Sequence, residues 1–156
     1  MSIEKVRAYF EKLGIADRIL EFPVSSATVA LAAQAVGTIP ARIAKTLSFR
    51  DGEGCILIVT AGDARIDNHK YKEKFSMKAS MLSPEEALER TGHAVGGVCP
   101  FAVPDTAKVY LDVSLKRFET VFPAAGSGSS AIELTCDELF AYSRAREWAD
   151  LCKDWE

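Results

Sequence analysis

Ile43-Ala44-Lys45-Thr46-Leu47-Ser48-Phe49-Arg50, Asp51-Gly52-Glu53-Gly54 and Cys55-Ile56-Leu57-Ile58-Val59-Thr60-Ala61 run on from one another, and the fold turns on them. In the first block the odd positions hold Ile43, Lys45, Leu47 and Phe49, the period of two expected of a strand. The second block is a hairpin signal. The third is a continuous apolar run, as in a strand covered on both faces. The three together predict an antiparallel pair at the centre of a sheet.

Toward the N-terminus, Ile3, Val6, Phe10 and Leu13 recur at helical spacing, with Ser2 as N-cap and Gly14 as the stop. Arg18 to Phe22 is a short strand, and Thr28 caps a second helix over residues 29–36 that ends at Gly37. Toward the C-terminus, residues 68–75 are a basic helix, and Ser83-Pro84-Glu85-Glu86 opens another that ends at Thr91-Gly92. Residues 94–105 are a loop. Residues 108–112, 120–122 and 131–134 are short strands, and residues 124–130 a flexible loop. Thr135-Cys136-Asp137-Glu138 is a capping box for a last helix. Trp148, Leu151, Cys152 and Trp155 also fall at helical spacing. We therefore expect one domain over residues 1–156 with a C-terminal helical tail from about 143 to 156. Many short strands joined by tight connections point to an α/β (α+β) class. Its mixed, partly barrel-like sheet would be surrounded by helices rather than doubly wound.

Composition is that of a globular chain: 156 residues, 48% apolar and 26% charged. No apolar run approaches the roughly 20 residues of a membrane span, and the opening MSIEKVRAYFEKLG lacks the form of a signal peptide, so we expect a cytoplasmic protein without a membrane partner. Cys55, Cys99, Cys136 and Cys152 form no C-x-x-C pair and read as free thiols. Net charge is −3, which disfavours a protein that coats long nucleic acid. The distribution is uneven: residues 41–80 carry +3 and residues 133–156 carry −4. Arg42, Lys45, Arg50, Arg65, Lys70, Lys72, Lys74 and Lys78 make the one basic region. It is either a solvated face or a local grip on a few phosphates, whose binding would be weak and strongly salt-dependent.

Chemistry has few places to reside. Lys45 shares a face with Ile43, Leu47 and Phe49, so it either snorkels at the strand end or serves a site. The loop Gly96-Gly97-Val98-Cys99-Pro100-Phe101 and the loop Gly126-Ser127-Gly128-Ser129-Ser130 each offer backbone amides to a ligand, or are ordinary turns. Gly62-Asp63 closes a strand, where Asp63 can orient Lys45, bind a hydroxyl or simply make a turn. His93 and Cys99, six residues apart, form a thiol–imidazole pair only if the fold brings them together. No G-x-S-x-G elbow, phosphate-binding glycine fingerprint or metal motif is present, so neither a metal nor a cofactor is expected.

Thr38-Ile39-Pro40-Ala41-Arg42-Ile43-Ala44-Lys45-Thr46-Leu47, Gly62-Asp63, Gly96 through Phe101 and Ala125-Gly126-Ser127, in that order, resemble the YbaK family. That family is similar to the editing domain inserted in bacterial prolyl-tRNA synthetases, and the resemblance runs over roughly residues 3–142. It implies a mixed-sheet α/β domain that hydrolyses, in trans, the ester between a wrong amino acid and tRNA. The family's lysine falls on Lys45, its G-x-x-x-P loop on Gly96 to Pro100 and its glycine-serine loop on Gly126 and Ser127. The implied catalytic group is thus Lys45 with Gly96, Gly97, Gly126 and Ser127. The implied substrate-binding residues are Thr46, Asp63, Val98, Cys99, Pro100, Phe101 and Ser129. The implied partners are the aminoacyl-tRNA acceptor end and a prolyl-tRNA synthetase; the sequence does not set the oligomeric state. In the alanine-specific branch an Asn follows the lysine and a His stands in the later glycine-serine loop. Here Thr46 follows, and residues 124–130 hold no His, which leans toward cysteine editing or an unassigned branch. A silent binding module of the same fold and a Cys99-dependent hydrolase are the competing expectations.

Overall fold

The computed structural model describes residues 2–23 and 28–155. In chain order its helices and strands are α1 (Ser2–Leu13), β1 (Ile19–Glu21), α2 (Val29–Val36), β2 (Ile43–Asp51), β3 (Gly54–Ala61), β4 (Arg65–Ile66), α3 (Asn68–Phe75) and α4 (Pro84–Thr91). There follow β5 (Ala107–Asp112), β6 (Thr120–Pro123), β7 (Ser130–Ile132), β8 (Leu134–Thr135), α5 (Cys136–Tyr142), β9 (Glu147–Ala149) and β10 (Cys152–Lys153). The largest sheet has six strands in the order β8-β6-β2-β3-β5-β9 and curls into a half-barrel. It is mixed, as expected: β2 and β3 are antiparallel, whereas β6 runs parallel to β2, β5 to β3 and β9 to β5. Two small antiparallel pairs, β1 with β7 and β4 with β10, lie beside it.

The hairpin register runs from Ala44 opposite Ala61 to Asp51 opposite Gly54. β3 is covered on both faces, as its unbroken apolar run predicts. Cys55, Leu57 and Val59 enter the main core with Val6 and Phe10 of α1, Val109 and Leu111 of β5 and Leu139 of α5. Ile56 and Ile58 enter a second cluster with Phe49, Tyr71 and Leu151. A third, smaller cluster joins Ile43, Phe122 and Ala33, and so sets α2 against the start of β2. Local signals place the helix ends. Thr28 accepts from the Leu31 amide, Ser83 and Thr135 each close a capping box, and Gly37 and Gly92 end their helices.

Three expectations need correction. Ser2 is the first helical residue rather than a cap, and its hydroxyl is engaged by the Nδ1 of His93. The strand expected at 131–134 is two. β7 pairs with β1 and β8 with β6, the chain breaking between them at exposed Glu133. The tail is not helical. Arg144 has φ 56 and ends α5, after which β9 takes the open edge of β5 and β10 pairs with β4. The helical spacing of Trp148, Leu151, Cys152 and Trp155 is outweighed by unsatisfied backbone groups on a sheet edge, which an approaching strand can bond.

Leu57 is completely buried and Leu88 on α4 is half exposed. Urea unfolding should therefore show Leu57→Ala losing about 3 kcal/mol, within the range for a buried leucine truncation, and Leu88→Ala losing under about 0.5 kcal/mol.

Candidate active site

β2 is hydrogen-bonded to β3 along its whole length but has neighbours on its other edge only at its ends. β6 pairs with Ile43 and Ala44. Farther along, the Leu82 amide donates to the Ser48 carbonyl (3.1 Å) and the Arg50 amide to the Ser80 carbonyl (2.8 Å). Among the described residues no strand covers residues 45–47 on this edge. Backbone groups alternate sides along a strand, so Thr46, two residues before Ser48, turns its N–H and C=O to the same open edge.

A cleft of about 330 Å³ occupies this gap. Its floor is β2 from Ile43 to Ser48. α2 supplies Val29 and Ala32, the segment before α4 supplies Met81, α4 supplies Ala87, and the loop after it supplies Val95, Gly96 and Val98. Of the residues singled out from the sequence, Lys45, Thr46, Gly96 and Val98 meet here. Lys45 lies on the odd-numbered face of β2, between the Ile43 cluster and the Phe49 cluster. It is half-buried, and desolvation holds its amine below the usual lysine range. Cys152, Arg65 and Asp63 are its electrostatic neighbours, yet among the described residues it has no ion pair and no hydrogen bond. The side-chain oxygen of Thr46 is buried without a partner. A buried hydroxyl left unpaired is costly, so the cleft is lined by an amine from one face of β2 and a hydroxyl from the other, neither satisfied by protein groups.

The remaining predicted residues lie elsewhere. Gly97 backs the site: a Cβ there would come within 2.7 Å of the Ser127 Cα and 3.0 Å of the Gly126 carbonyl oxygen. The two glycine loops therefore press on each other, and glycine is needed for that approach. Gly126, Ser127 and Ser129 do not line the cleft; Ala124, Ser130 and Ala131 do. The Ser127 hydroxyl donates to Ser130 Oγ (2.8 Å) and accepts from the Ser129 amide (3.3 Å), so it serves its own loop. Asp63 lies outside the lining, and both its oxygens are held by Arg117, at 2.6 and 2.9 Å. This fork draws its carboxyl below the usual range. Cys99 and Phe101 are sealed in the main core. Pro100 lines a separate cavity of about 460 Å³ with Tyr9, Tyr142, Arg144 and Arg146.

The Cys99 thiol and His93 Nε2 do approach, at 3.6 Å. Nε2 nevertheless lies 2.7 Å from the Phe101 carbonyl oxygen, which can only accept, so the ring proton is on Nε2 and Nδ1 accepts from Ser2. With its base-competent nitrogen turned to Ser2, His93 cannot take the thiol proton. Burial also pushes the Cys99 thiol up to about 12. The pair is core architecture.

Half of the cations of the basic segment are paired within the fold. Arg42 bonds Thr120 and Glu133, and Arg50 pairs with Glu86. Lys70 pairs with Asp150 and Lys74 with Glu147, both acids of the C-terminal segment. Pattern reading missed the walls of the cleft. Val29 and Ala32 were visible as the apolar face of α2, but nothing near Met81 or Val95 marks them as wall residues.

Residues 24–142 match the aminoacyl-tRNA editing domain family. The chain is 56% identical to the uncharacterised protein YwhH of Bacillus subtilis (strain 168) over 157 residues, covering 100% of both. It is 33% identical to a solved structure of a candidate trans-editing enzyme for prolyl-tRNA synthetase, covering 97% of each chain at a TM-score of 0.88. A 78-residue stretch, 49% of this chain but 13% of the other, is 30% identical to the proline–tRNA ligase of Kosmotoga olearia.

His93 is fully buried and its pKa is lowered, chiefly by desolvation. The unfolded chain therefore takes the proton first, and the stability that neutral His93 contributes is present above the ordinary imidazole value and lost as pH falls below it. Urea unfolding at pH 7, 6 and 5 should show wild type losing up to about 1.4 kcal/mol per pH unit more than His93→Gln. Parallel losses in the two proteins would contradict the burial argument.

Proposed function

We propose that this chain, which belongs to the aminoacyl-tRNA editing domain family, is a trans-acting deacylase that hydrolyses the ester between a small non-cognate amino acid and a tRNA. The observation that carries the reading is the unpaired, half-buried Lys45 ammonium and the unpartnered Thr46 hydroxyl, which line one cleft at an open strand edge. An ester of this kind needs no protein nucleophile. Water adds to the carbonyl carbon, the bond to the ribose oxygen breaks, and that oxygen leaves with a proton. The products are the free amino acid and a tRNA with its terminal hydroxyl restored. When the amino acid is cysteine, its own thiol can make the attack: the bond to the ribose oxygen breaks, that oxygen takes the thiol's proton, and the four-membered thiolactone released is then opened by water to the free amino acid. The protein's part is to hold the ester and to stabilise the negative charge that builds on its carbonyl oxygen.

Lys45 is assigned to the substrate's carbonyl or terminal phosphate and Thr46 to the aminoacyl moiety, through its amide and hydroxyl. Gly96 and Val98 supply the facing wall. Gly97, Gly126 and Ser127 act one step back, by fixing the loop that presents Gly96. The reading takes residues 1–156 as one editing domain working in the cytoplasm. Thr46 favours a cysteine-type substrate, and the likeness to a proline–tRNA ligase favours tRNA-Pro and its synthetase as partners. A packed pocket separates two small side chains by only about 1–3 kcal/mol per methylene, so the tRNA must carry part of the selectivity. With Arg42, Arg50, Lys70 and Lys74 already paired, Lys45, Arg65, Lys72 and Lys78 remain for phosphates, and binding should depend less on salt than the +3 segment suggests.

Deacylation of a panel of mischarged tRNAs tests this. Wild type should hydrolyse at least one small-side-chain ester. Lys45→Ala should lose about 100-fold in kcat/KM, near the loss of one oxyanion donor, while Cys99→Ala stays within about threefold. A wild type that binds these tRNAs and hydrolyses none would make the protein a silent binding module.

A further inference from the structure

The C-terminal segment after residue 142 lies beyond the stretch that matches the editing family, and its tryptophans have no part in the site described above. It is nevertheless anchored around the residues whose charges act on Lys45. β10 pairs with β4, setting Cys152 opposite Ile66 and Lys153 opposite Arg65, immediately after the Gly62-Asp63 turn. The Leu151 amide donates to Asp112 (2.8 Å), the Asp67 amide donates to the Leu151 carbonyl (2.8 Å) and the Lys70 ammonium donates to the Cys152 carbonyl (2.8 Å). Beyond this anchor, Trp155 places its ring 4.9 Å from the guanidinium of Arg117.

Arg117 is the residue that holds both oxygens of Asp63, and its Nε also donates to the Ser114 carbonyl (2.8 Å). Among the described residues Asp63 is the one carboxylate whose charge acts on Lys45, and Arg65 and Cys152 are its other electrostatic neighbours. A half-buried ammonium next to a free carboxylate would close an ion pair with it. That pair is not formed here, and the fork of Arg117 holds both oxygens of the carboxylate. The fork is held from its other side by the faces of Phe118 and Trp155, each 4.9 Å from the guanidinium carbon.

Building on the role given to Lys45 above, we propose that Trp155 is a positioning residue: by holding Arg117 on Asp63, it keeps that carboxylate from capturing the Lys45 ammonium and leaves the ammonium open to substrate. Loss of the ring loosens the fork, and Asp63 then competes with the substrate's oxygen for the same ammonium. The defect therefore belongs to ground-state binding and depends on Asp63.

Four full-length variants test the chain of contacts: Trp155→Ala, Trp155→Leu, Trp155→Phe, and Trp155→Ala combined with Asp63→Asn. Trp155→Leu keeps apolar bulk without a π face, so it separates lost packing from the lost charge contact. Both Trp155→Ala and Trp155→Leu should lower kcat/KM for the mischarged tRNA about tenfold, mainly through KM. Trp155→Phe should stay within about threefold of wild type, and the added Asp63→Asn should recover most of the loss. The second readout needs no activity: NMR titration of the Lys45 Nζ, assigned by Lys45→Arg, in wild type and each variant. The Lys45 titration should move upward in Trp155→Ala and Trp155→Leu and return in the double variant. If the titration does not move, or if the double variant stays as impaired as Trp155→Ala, the proposal is overturned. A wild type inactive on every ester would sink the deacylase reading, while the titration would still decide whether Trp155 keeps Asp63 from Lys45.

Discussion

β2 is bonded to β3 along one edge and, along the other, only near its two ends, and the cleft exists because of that interruption. β6 reaches no farther than Ala44, and the segment at residues 80–82 returns only at Ser48. A continuous neighbour would have satisfied the backbone of Thr46 and closed the space now walled by Ala87, Val95 and Gly96. The gap persists because each flank is fixed by independent packing. Phe122 and Ile43 lock β6 against α2 on one side, and the capping box of Ser83 and Glu86 starts α4 on the other. Arg50 bonds Ser80 and pairs with Glu86, so a single side chain fastens that second flank to the strand.

The elements that local chemistry defines were legible in the sequence. The hairpin could be read because period two, a Gly-containing turn and an apolar run agree on it, and α2 and α4 because caps and stops frame them. The tail was misread for the opposite reason. The spacing from Trp148 to Trp155 fits a helix, but its backbone is committed by partners more than 30 residues away, Tyr110 through Asp112 for β9 and Arg65 and Ile66 for β10. No window of sequence contains that information. The same holds for β7 and β8, one run in sequence and two pairings in space.

Lys45 could be singled out because a lysine breaks an apolar face, and Thr46 came with it only through the family resemblance. What alternation could not show is that Thr46 lies on a bare edge, since that depends on where β6 stops. The glycine loops could be read as ligand-facing amides or as ordinary turns, and two of their glycines are there for close contact within the chain: Gly97 against Ser127 of the other loop, and Gly126 against Ser2, Ile3 and Val6 of α1. A glycine demanded by close backbone approach looks the same in sequence whether the approaching atoms belong to a ligand or to the chain itself. Cys99 was flagged by its reactive chemistry, yet full burial removes that chemistry.

The charge pattern acquires a structural meaning once the tail is placed. Taken separately, the basic segment 41–80 and the acidic segment 133–156 suggest an RNA-binding patch and a solvating tail. In the fold they meet: Lys70 on Asp150, Lys74 on Glu147 and Arg42 on Glu133. Exposed pairs of this kind add little stability each, so their main effect is on the surface field, which they cancel over the helix that would otherwise be the most basic. Lys45 escapes the cancellation by its position on β2, while Asp63, its acidic neighbour among the described residues, is held by Arg117. Where these pairs cancel charge, the half-buried Lys45 ammonium, with Arg65 among its electrostatic neighbours, gives an anionic ligand a local target rather than a broad attraction. Such a surface suits a protein that must engage one end of a large polyanion and then release it.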